Sequence, residues 1–315
     1  MSKYVFGVDI GGTTIKFGLF TVKGVLIEKF TIDTDTSNEG TKLLPDTAKT
    51  ILAKLEEKSL TISDVVGVGV GVPGPVDDHG VVLIGVNINW SKPVAVKEIL
   101  TNLLGIPVYV TNDANIAALG EMWLGAAKGA SSAIMYTLGT GVGGGIIAHG
   151  KVINGTNGAG GEIGHLTAVP EGGALCGCGK TGCLETVTSA TGIVRMTKEK
   201  LAKTDLASML RTLEVIEAKD VFDAAKEKDA LALEIVDRTG YYLGLSAANL
   251  AASTDPELFI FGGGVAYAGD ILIKAIRKYY MKYAFASVKN TPFVIASLGN
   301  DAGIIGGAYL ASDAS

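Results

Sequence analysis

The chain has 315 residues, more than one hydrophobic core usually supports, so two domains of roughly 100 to 200 residues each are expected. Hydrophobic residues make up 48% of the sequence and charged residues 19%, proportions typical of a compact globular protein. The formal net charge of −5 argues against a nucleic-acid partner, which calls for a basic surface.

The sequence also gives no sign of membrane insertion or export. No stretch approaches the roughly 20 apolar residues of a membrane span. Asp9 interrupts the short apolar run near the start that a signal peptide would need. We therefore expect a cytoplasmic protein with no membrane partner.

The first part of the chain has an α/β pattern. Three strands with glycine-bearing turns come first, and helices and strands then alternate. The predicted elements are strands over 4–10, 15–20 and 25–31, a helix over 40–58, a strand over 65–72, a helix over 92–104, a strand over 108–111 and a helix over 115–125.

The second part of the chain restarts this scheme with a strand over 132–138, a glycine run over 139–145 and a strand that ends near His149. Segments 8–13 and 137–142 share a strand, glycine turn, strand arrangement, which predicts two related halves that face each other across a cleft. The other predicted elements are helices over 189–203, 221–228 and 230–253, a strand over 258–261, a helix over 269–283, a strand over 293–297 and a helix over 302–310.

All three cysteines of the chain, Cys176, Cys178 and Cys183, lie within eight residues, shortly after His165. Three thiolates and one imidazole form the tetrahedral ligand set that structural zinc favours when no open coordination position is needed. Small buried residues that share a loop by chance are the alternative, but such close spacing favours a metal. The sequence predicts about one tightly bound zinc ion per chain.

Two glycine-rich turns are candidates for holding phosphate. Each can present backbone N–H groups and a hydroxyl to an anion, because glycine lets the main chain approach closely. Ordinary tight hairpins explain either turn alone equally well, but a third glycine run at 262–264 favours a nucleotide. Asp9, ahead of the first turn, could organise magnesium. The turns consist of Gly11, Gly12, Thr13 and Thr14, and of Gly139, Thr140 and Gly141.

Two familiar nucleotide motifs are not supported. The spacing of Gly139, Gly141 and Gly144 formally matches the dinucleotide fingerprint, but residues 146–148 continue as a strand where that motif needs a helix. The sequence contains no Walker A loop. Any phosphate must therefore be held by turns between strands.

Asp113 is a candidate catalytic carboxylate. Segment 112–115 lies where a strand ends and a helix begins, the position at which open α/β sheets place ligand-contacting groups. A hydroxyl that attacks a γ-phosphate needs little covalent help, but a carboxylate within reach orients it and accepts its proton. Capping of the helix by Asp113 or Asn115 is the alternative.

Further polar residues suit a sugar. Glu162 lies three residues before His165, and Glu185 lies two after the last cysteine, so metal binding would draw both carboxylates toward one wall. Taken singly, each glutamate would be an ordinary solvated surface group. Asn87 and Trp90 add an amide and an aromatic ring, although a lone tryptophan usually belongs to the core.

Four motifs stand out together: Asp9-Ile-Gly-Gly-Thr13, Asn112-Asp-Ala-Asn115, Leu138-Gly-Thr-Gly-Val-Gly-Gly-Gly145, and Gly161-Glu-Ile-Gly-His165 followed by Cys176-Gly-Cys-Gly-Lys-Thr-Gly-Cys-Leu-Glu185. They resemble the ROK family (repressors, open reading frames, kinases), and most closely its bacterial glucokinases. The similarity runs from Val8 to Gly307, and the block of glutamate, histidine and cysteines is highly specific to this family.

The resemblance implies an actin-like, ribonuclease-H-like ATPase fold, in which two α/β domains close on a cleft. The repeat places the domain boundary near residue 115, and the resemblance implies that the C-terminal helix returns to the first domain. We therefore expect a smaller domain, residues 1–115 and 299–315, and a larger domain, residues 116–298, with the zinc loop and dimerisation helices. The resemblance also implies homodimers, and whether these pair into homotetramers is left open.

The resemblance further implies an ATP-dependent glucokinase that transfers the γ-phosphoryl group to the 6-hydroxyl of D-glucose, with Mg²⁺ and Zn²⁺ bound. Asp113 resembles the catalytic base, and His165 would hold zinc with one ring nitrogen while the other faces the sugar. The residues that match the family's sugar ligands are Asn87, Asn112, Asp113, Glu162, His165 and Glu185. Those that match its nucleotide loops are Gly12, Thr13, Thr140 and Gly141 for phosphate, and Gly263 and Gly264 on the adenosine side.

Two alternatives stay open. Family members also phosphorylate fructose, mannose or N-acetylated hexosamines, and these residues do not decide the sugar. The family also includes sugar-responsive repressors with an N-terminal helix-turn-helix domain, but the first strand here begins at Tyr4, so we expect an enzyme. Asn89 departs from the pattern, because similar glucokinases carry a small residue there, often glycine.

Overall fold

The computed structural model describes residues 3–313 as an α/β protein. Its strands are β1 (Tyr4–Ile10), β2 (Thr14–Thr21), β3 (Leu26–Asp33), β4 (Val65–Val72), β5 (Val108–Asn112), β6 (Ala133–Leu138), β7 (Val142–Ala148), β8 (Lys151–Val152), β9 (Leu258–Gly262) and β10 (Phe293–Ile295). Its α-helices are α1 (Ser37–Gly40), α2 (Leu43–Glu57), α3 (Val96–Leu104), α4 (Asp113–Trp123), α5 (Glu185–Thr188), α6 (Ala190–Lys203), α7 (Ala218–Lys226), α8 (Ala230–Thr254), α9 (Asp270–Tyr283) and α10 (Ala302–Asp313).

Within the described residues the strands form two five-stranded sheets, in the orders β3-β2-β1-β4-β5 and β10-β9-β6-β7-β8. The chain divides into two compact units. The first contains the chain up to Ser131, residues Gly145–Gly161 and the chain from Ser297 on; the second contains Ser132–Gly144 and Glu162–Ala296. The domain bounds expected from the family resemblance stay a prediction.

The sheet of the first unit is mixed. Strand β1 pairs antiparallel with β2 and parallel with β4, and β2 and β4 continue the sheet to β3 and β5. One face buries Phe6 and Phe17 in a core that also contains apolar side chains of α2 and α3. On the other face, a Cβ added to Gly7 would lie 1.7 Å from the carbonyl oxygen of Ile304, so this glycine lets the backbone of α10 lie directly on the sheet.

The second unit is built around parallel strands β6, β9 and β10. Tyr136 of β6 is fully buried beside Phe261 of β9, with ring centroids 5.2 Å apart. Its hydroxyl lies 2.9 Å from Oγ of Ser246 on α8, so the buried polar group is satisfied. Helices α8 and α9 pack against each other beside these strands.

Every predicted strand and helix overlaps an observed element, and the predicted α/β class is confirmed. The largest shift concerns the helix expected from residue 92, which begins at Val96. Val94 first exchanges two backbone hydrogen bonds with Val82, both 2.9 Å, and so continues as extended chain. Within residues 3–313, every helix is too short or too polar to cross a membrane.

Candidate active site

The first glycine turn joins β1 to β2. The N–H of Gly11 donates to the carbonyl of Thr14 (3.0 Å), and Thr34 donates from Oγ1 to the carbonyl of Gly11 (2.8 Å). A Cβ added to Gly12 would lie 2.8 Å from the carbonyl oxygen of Asn87, so a larger residue would displace one of them. The fold thus places a predicted phosphate-binding residue beside a predicted sugar ligand.

Asp9 lies directly before this turn, with its side chain 20% exposed and Nζ of Lys16 3.4 Å from Oδ2. A Cβ added to Gly303 would lie 2.7 Å from Cγ of Asp9, which places the carboxyl against the first turn of α10. Burial raises the pKa of Asp9, and the Lys16 ammonium opposes that shift. Thr13 is exposed on the turn.

The loop that carries Asn87 explains the departure at position 89. Asn87 is exposed in a short 3₁₀ helix, and Asn89 ends that helix with φ of +61°. Glycine adopts this conformation without strain and asparagine tolerates it. This accounts for both the small residue expected at position 89 and the asparagine found there. Nδ2 of Asn89 donates to the carbonyl of Thr36 (3.2 Å). Trp90 is 4% exposed and belongs to the core.

The junction between β5 and α4 holds the candidate base. Asn112 is the N-cap of α4: its Oδ1 accepts from the N–H of Ala114 (2.8 Å), and its Nδ2 donates to the carbonyl of Gly74 (3.1 Å). Asp113 is the first residue of the helix, and its side chain is exposed. Oδ1 of Asp113 also accepts from the N–H of Ala114 (2.8 Å). The N-cap is therefore Asn112, and Asp113 presents a carboxylate at the helix N-terminus.

A hydrogen-bond network of largely buried polar side chains holds the junction between β5 and α4 together. Oγ1 of Thr111 donates to Oδ1 of Asn154 (2.8 Å), 43 residues later, and Nδ2 of Asn115 lies 3.3 Å from the same oxygen. Asn115 is 2% exposed. The network fixes the residues on both sides of Asp113. No sequence pattern pointed to Asn154, because its partners lie far away along the chain.

The second glycine turn joins β6 to β7 and is closed by a hydrogen bond from the N–H of Gly139 to the carbonyl of Gly141 (3.0 Å). The N–H of Val142 donates to Oε2 of Glu185 (2.9 Å). A Cβ added to Gly141 would lie 2.3 Å from that oxygen, so the carboxylate fills the space beside the turn. Glu185, a predicted sugar ligand, therefore contacts the predicted phosphate turn.

The four predicted metal ligands converge. Their donor atoms all lie within 4.8 Å of one another. Sγ of Cys176 is 3.6 Å from Nδ1 of His165, and Sγ of Cys178 is 3.6 Å from Sγ of Cys183. A tetrahedral zinc ion with Zn–S bonds of about 2.3 Å holds its ligands about 3.7 Å apart. The residues fit zinc in both chemistry and spacing.

The second ring nitrogen of His165 faces a carboxylate. Its Nε2 lies 3.8 Å from Oε2 of Glu162, and the two side chains are 34% and 31% exposed. Burial raises the pKa of Glu162; His165 opposes this shift and Glu185 adds to it. With Nδ1 on a metal, Nε2 carries the proton, so the pair offers one donor and one acceptor to a ligand.

A cavity of about 1050 Å³ opens in the second unit, at the upper end of the range for small-molecule pockets. Thr140 of the second turn, Thr191 of α6, Phe222 of α7 and Gly264 after β9 all line it. Its walls are mostly apolar, which suits a flat base, and the glycine turn suits phosphate. Helical periodicity predicted α6 and α7 but could not show which space they enclose.

Gly263 shapes the loop that enters this cavity. Its φ is +84°, and an added Cβ would lie 2.5 Å from the carbonyl oxygen of Leu138. Gly264 has open space around the position of a Cβ. The predicted adenosine-side pair thus combines one position that only glycine fits with one that is open toward the cavity.

Comparisons with known proteins agree on one family. The model of the ROK family matches residues 5–314. A glucokinase of Halalkalibacterium halodurans is 47% identical over 313 residues, 98% of this chain and 94% of the relative. A ROK hexokinase structure from Thermus thermophilus has a TM-score of 0.81 at 32% identity, covering 98% of this chain and 97% of the other. A ROK family glucokinase from Streptomyces griseus, solved with glucose and AMPPNP, has a TM-score of 0.73 at 34% identity, covering 99% of both chains.

Proposed function

Because the chain belongs to the ROK family, we propose that it is an ATP-dependent glucokinase, which transfers the γ-phosphoryl group of ATP to the 6-hydroxyl of D-glucose. It is a sugar kinase with the two-domain actin-like α/β fold. The identity of 47% to a glucokinase over nearly the whole chain supports glucose as the substrate.

The observation that carries this function is the cavity of the second unit. Thr140, from a predicted phosphate turn, and Gly264, from the predicted adenosine-side loop, lie more than a hundred residues apart and line the same space. ATP would place its phosphates at the turn and its base against the apolar walls. Gly11, Gly12, Thr13 and Thr14 of the other turn, together with Gly141 and Gly263, would complete the set of backbone positions for the nucleotide.

Asp9 would organise Mg²⁺. Protein sites for this ion use one or two carboxylates, with substrate phosphates and water as the other ligands. Bound magnesium would neutralise charge on the phosphates during transfer. The 20% exposure of the Asp9 side chain leaves it accessible, and Lys16 adds a second positive group beside it.

Asp113 would act as the general base. Its exposed carboxylate at the N-terminus of α4 would accept a hydrogen bond from the 6-hydroxyl of glucose and take its proton as the oxygen attacks the γ-phosphorus. Phosphoryl transfer depends mainly on positioning and charge stabilisation. The hydrogen bonds of Asn154 to Thr111 and Asn115 would hold the residues on both sides of Asp113 in place for this role.

The sugar would be held by carboxylate, amide and imidazole groups. Glu162 would accept from sugar hydroxyls, and the protonated Nε2 of His165 would donate to one. Glu185, whose Oε2 accepts from the N–H of Val142, would order the second turn and offer its other carboxylate oxygen to a sugar hydroxyl. Asn87 and Asn112 would contribute amide contacts.

Zinc, held by His165, Cys176, Cys178 and Cys183, would supply a fixed ring orientation for His165 and a closed loop. The protein's own residues do the chemistry.

We also propose a cytoplasmic homodimer that feeds glucose into glycolysis. Light scattering after size exclusion would give a mass near twice 32.4 kDa if the homodimer is right.

The decisive experiment is a coupled ADP-release assay with MgATP against glucose, mannose, fructose, N-acetylglucosamine and N-acetylmannosamine. The expected result is the highest kcat/KM for glucose. Preference for another sugar would support the assignment as a sugar kinase but reject glucose as its substrate. The absence of turnover with every sugar would reject the kinase and favour a noncatalytic sugar sensor.

A further inference from the structure

The segment from Glu185 to Thr191 encloses the second glycine turn. The carboxylate of Glu185 accepts from the N–H of Val142 (2.9 Å). The N–H of Ala190 donates to the carbonyl of Gly139 (2.8 Å). Both ends of the turn are therefore attached to a segment that follows the last cysteine of the metal loop.

Thr191 hydrogen-bonds to the middle of the turn. Its Oγ1 donates to the carbonyl oxygen of Thr140 (2.9 Å) and lies 3.0 Å from Oγ of Ser189, which accepts from the N–H of Gly192 (3.1 Å). Because Oγ1 of Thr191 uses its proton on Thr140, the Ser189 hydroxyl must donate to it. A directed chain of hydrogen bonds thus runs from the first turn of α6 to the carbonyl of Thr140.

This contact controls the direction of a neighbouring N–H. The carbonyl of Thr140 and the N–H of Gly141 belong to one planar peptide group, so a bond that fixes the oxygen also fixes that N–H. Gly141 follows this peptide, and glycine allows a wide range of φ, so contacts from outside the turn contribute to the orientation of the peptide. The bond between Gly139 and Gly141 closes the turn but does not engage this peptide.

We propose that Thr191 is a positioning residue for the nucleotide, which holds the peptide between Thr140 and Gly141 in the orientation that presents the Gly141 N–H to a phosphate of ATP. The inference rests on the proposed function, since it assumes that a nucleotide occupies the cavity. Thr191 itself lines that cavity, so its hydroxyl acts at the place where the ligand binds.

The test compares Thr191→Val, which keeps the shape and removes the hydroxyl, with Thr191→Ser, which keeps the hydroxyl. The matched control is Thr212→Val, because Oγ1 of Thr212 also donates to a backbone carbonyl (2.8 Å, Met209) and lies outside this cavity. Calorimetry measures the Kd of a Mg²⁺-bound nonhydrolysable ATP analogue and, separately, of glucose. Zinc content and the thermal midpoint are recorded for each variant.

The expected result is a rise in the nucleotide Kd of about two- to tenfold for Thr191→Val, with Thr191→Ser and Thr212→Val close to the wild type. The glucose Kd and zinc content should not move, and the thermal midpoint of Thr191→Val should fall no further than that of Thr212→Val. The KM for MgATP should rise while the KM for glucose stays constant. Thr191→Ala provides a second variant without the hydroxyl, should the valine side chain disturb folding.

An unchanged nucleotide Kd in both variants without the hydroxyl would overturn the proposal. The proposal would also be overturned if the glucose Kd rose as much as the nucleotide Kd while the thermal midpoint fell well below that of Thr212→Val, because these changes would show a general structural role. A wild-type protein that binds glucose but no nucleotide would instead reject the proposed function itself.

Discussion

Asp113 is the residue on which the proposed chemistry depends. Asp113→Asn keeps the size of the side chain and the nearby cap of Asn112 but removes the proton acceptor. We expect kcat to fall by about 100- to 10,000-fold, the usual contribution of a general base. The Kd of glucose should stay near the wild-type value, since an amide still hydrogen-bonds a hydroxyl. Steady-state kinetics and calorimetry measure the two effects.

The control for this substitution is Asp78→Asn, which makes the same change at another exposed aspartate of the first unit. It should leave kcat unchanged. Near-normal kcat in Asp113→Asn would show that another group accepts the proton.

Gly263 offers a stability prediction at a single backbone position. With φ of +84° and a Cβ position 2.5 Å from the carbonyl of Leu138, Gly263→Ala would combine backbone strain with a clash. We expect a loss of about 2–4 kcal/mol in the free energy of unfolding, measured by urea denaturation. Gly264→Ala is the matched control, because its Cβ would meet open space, and it should cost less than about 1 kcal/mol. Equal losses in the two variants would contradict the reasoning.

At the scale of elements, the metal loop can be tested by a substitution that leaves the hydrophobic core intact. Cys178 is exposed, so Cys178→Ser removes a thiolate without opening the core. We expect zinc content to fall well below one ion per chain, and the unfolding free energy to drop on the order of a few kcal/mol. Glucose affinity should fall too, because His165 would lose its fixed orientation. Metal analysis, denaturation and calorimetry report these three effects.

Leu175→Ser is the control within the same loop. The side chain of Leu175 is 74% exposed and supplies no metal ligand, so this variant should keep its zinc and its sugar affinity. Full zinc content and unchanged stability in Cys178→Ser would rule out the proposed metal site.

The elements themselves were largely predictable, because hydrophobic periodicity and glycine turns are local signals. The short elements were not. Helix α5 has four residues, and α1 contains Asn38 and Glu39 with φ of 50° and 57°. Such pieces are too short to show a period, and their shape depends on contacts with distant segments.

At the scale of the whole molecule, the family motifs predicted the fold, and the comparisons confirm its actin-like α/β class. Local clusters such as the cysteine loop were visible in the sequence, because their members are near neighbours along the chain. Thr191 and Asn154 were not, since their partners Thr140 and Thr111 lie 51 and 43 residues away along the chain. Which distant segments meet is decided by tertiary packing, and a single sequence carries no direct record of it.

Ligand binding should stabilise the whole protein by mass action. A ligand at 100 times its Kd adds about 2.7 kcal/mol to the folded state. An unfolding entropy of about 2.1 cal/mol/K per residue amounts to about 0.66 kcal/mol/K for 315 residues. We therefore expect glucose and the Mg²⁺-bound ATP analogue each to raise the thermal midpoint by about 4 °C, measured by scanning calorimetry. Sugars that show no binding by calorimetry serve as controls and should give no shift. Because the residues lining the cavity do not include Asp113, the shift with nucleotide should persist in Asp113→Asn. Loss of that shift in this variant would mean that nucleotide binding depends on Asp113, which would contradict its assignment as a base alone.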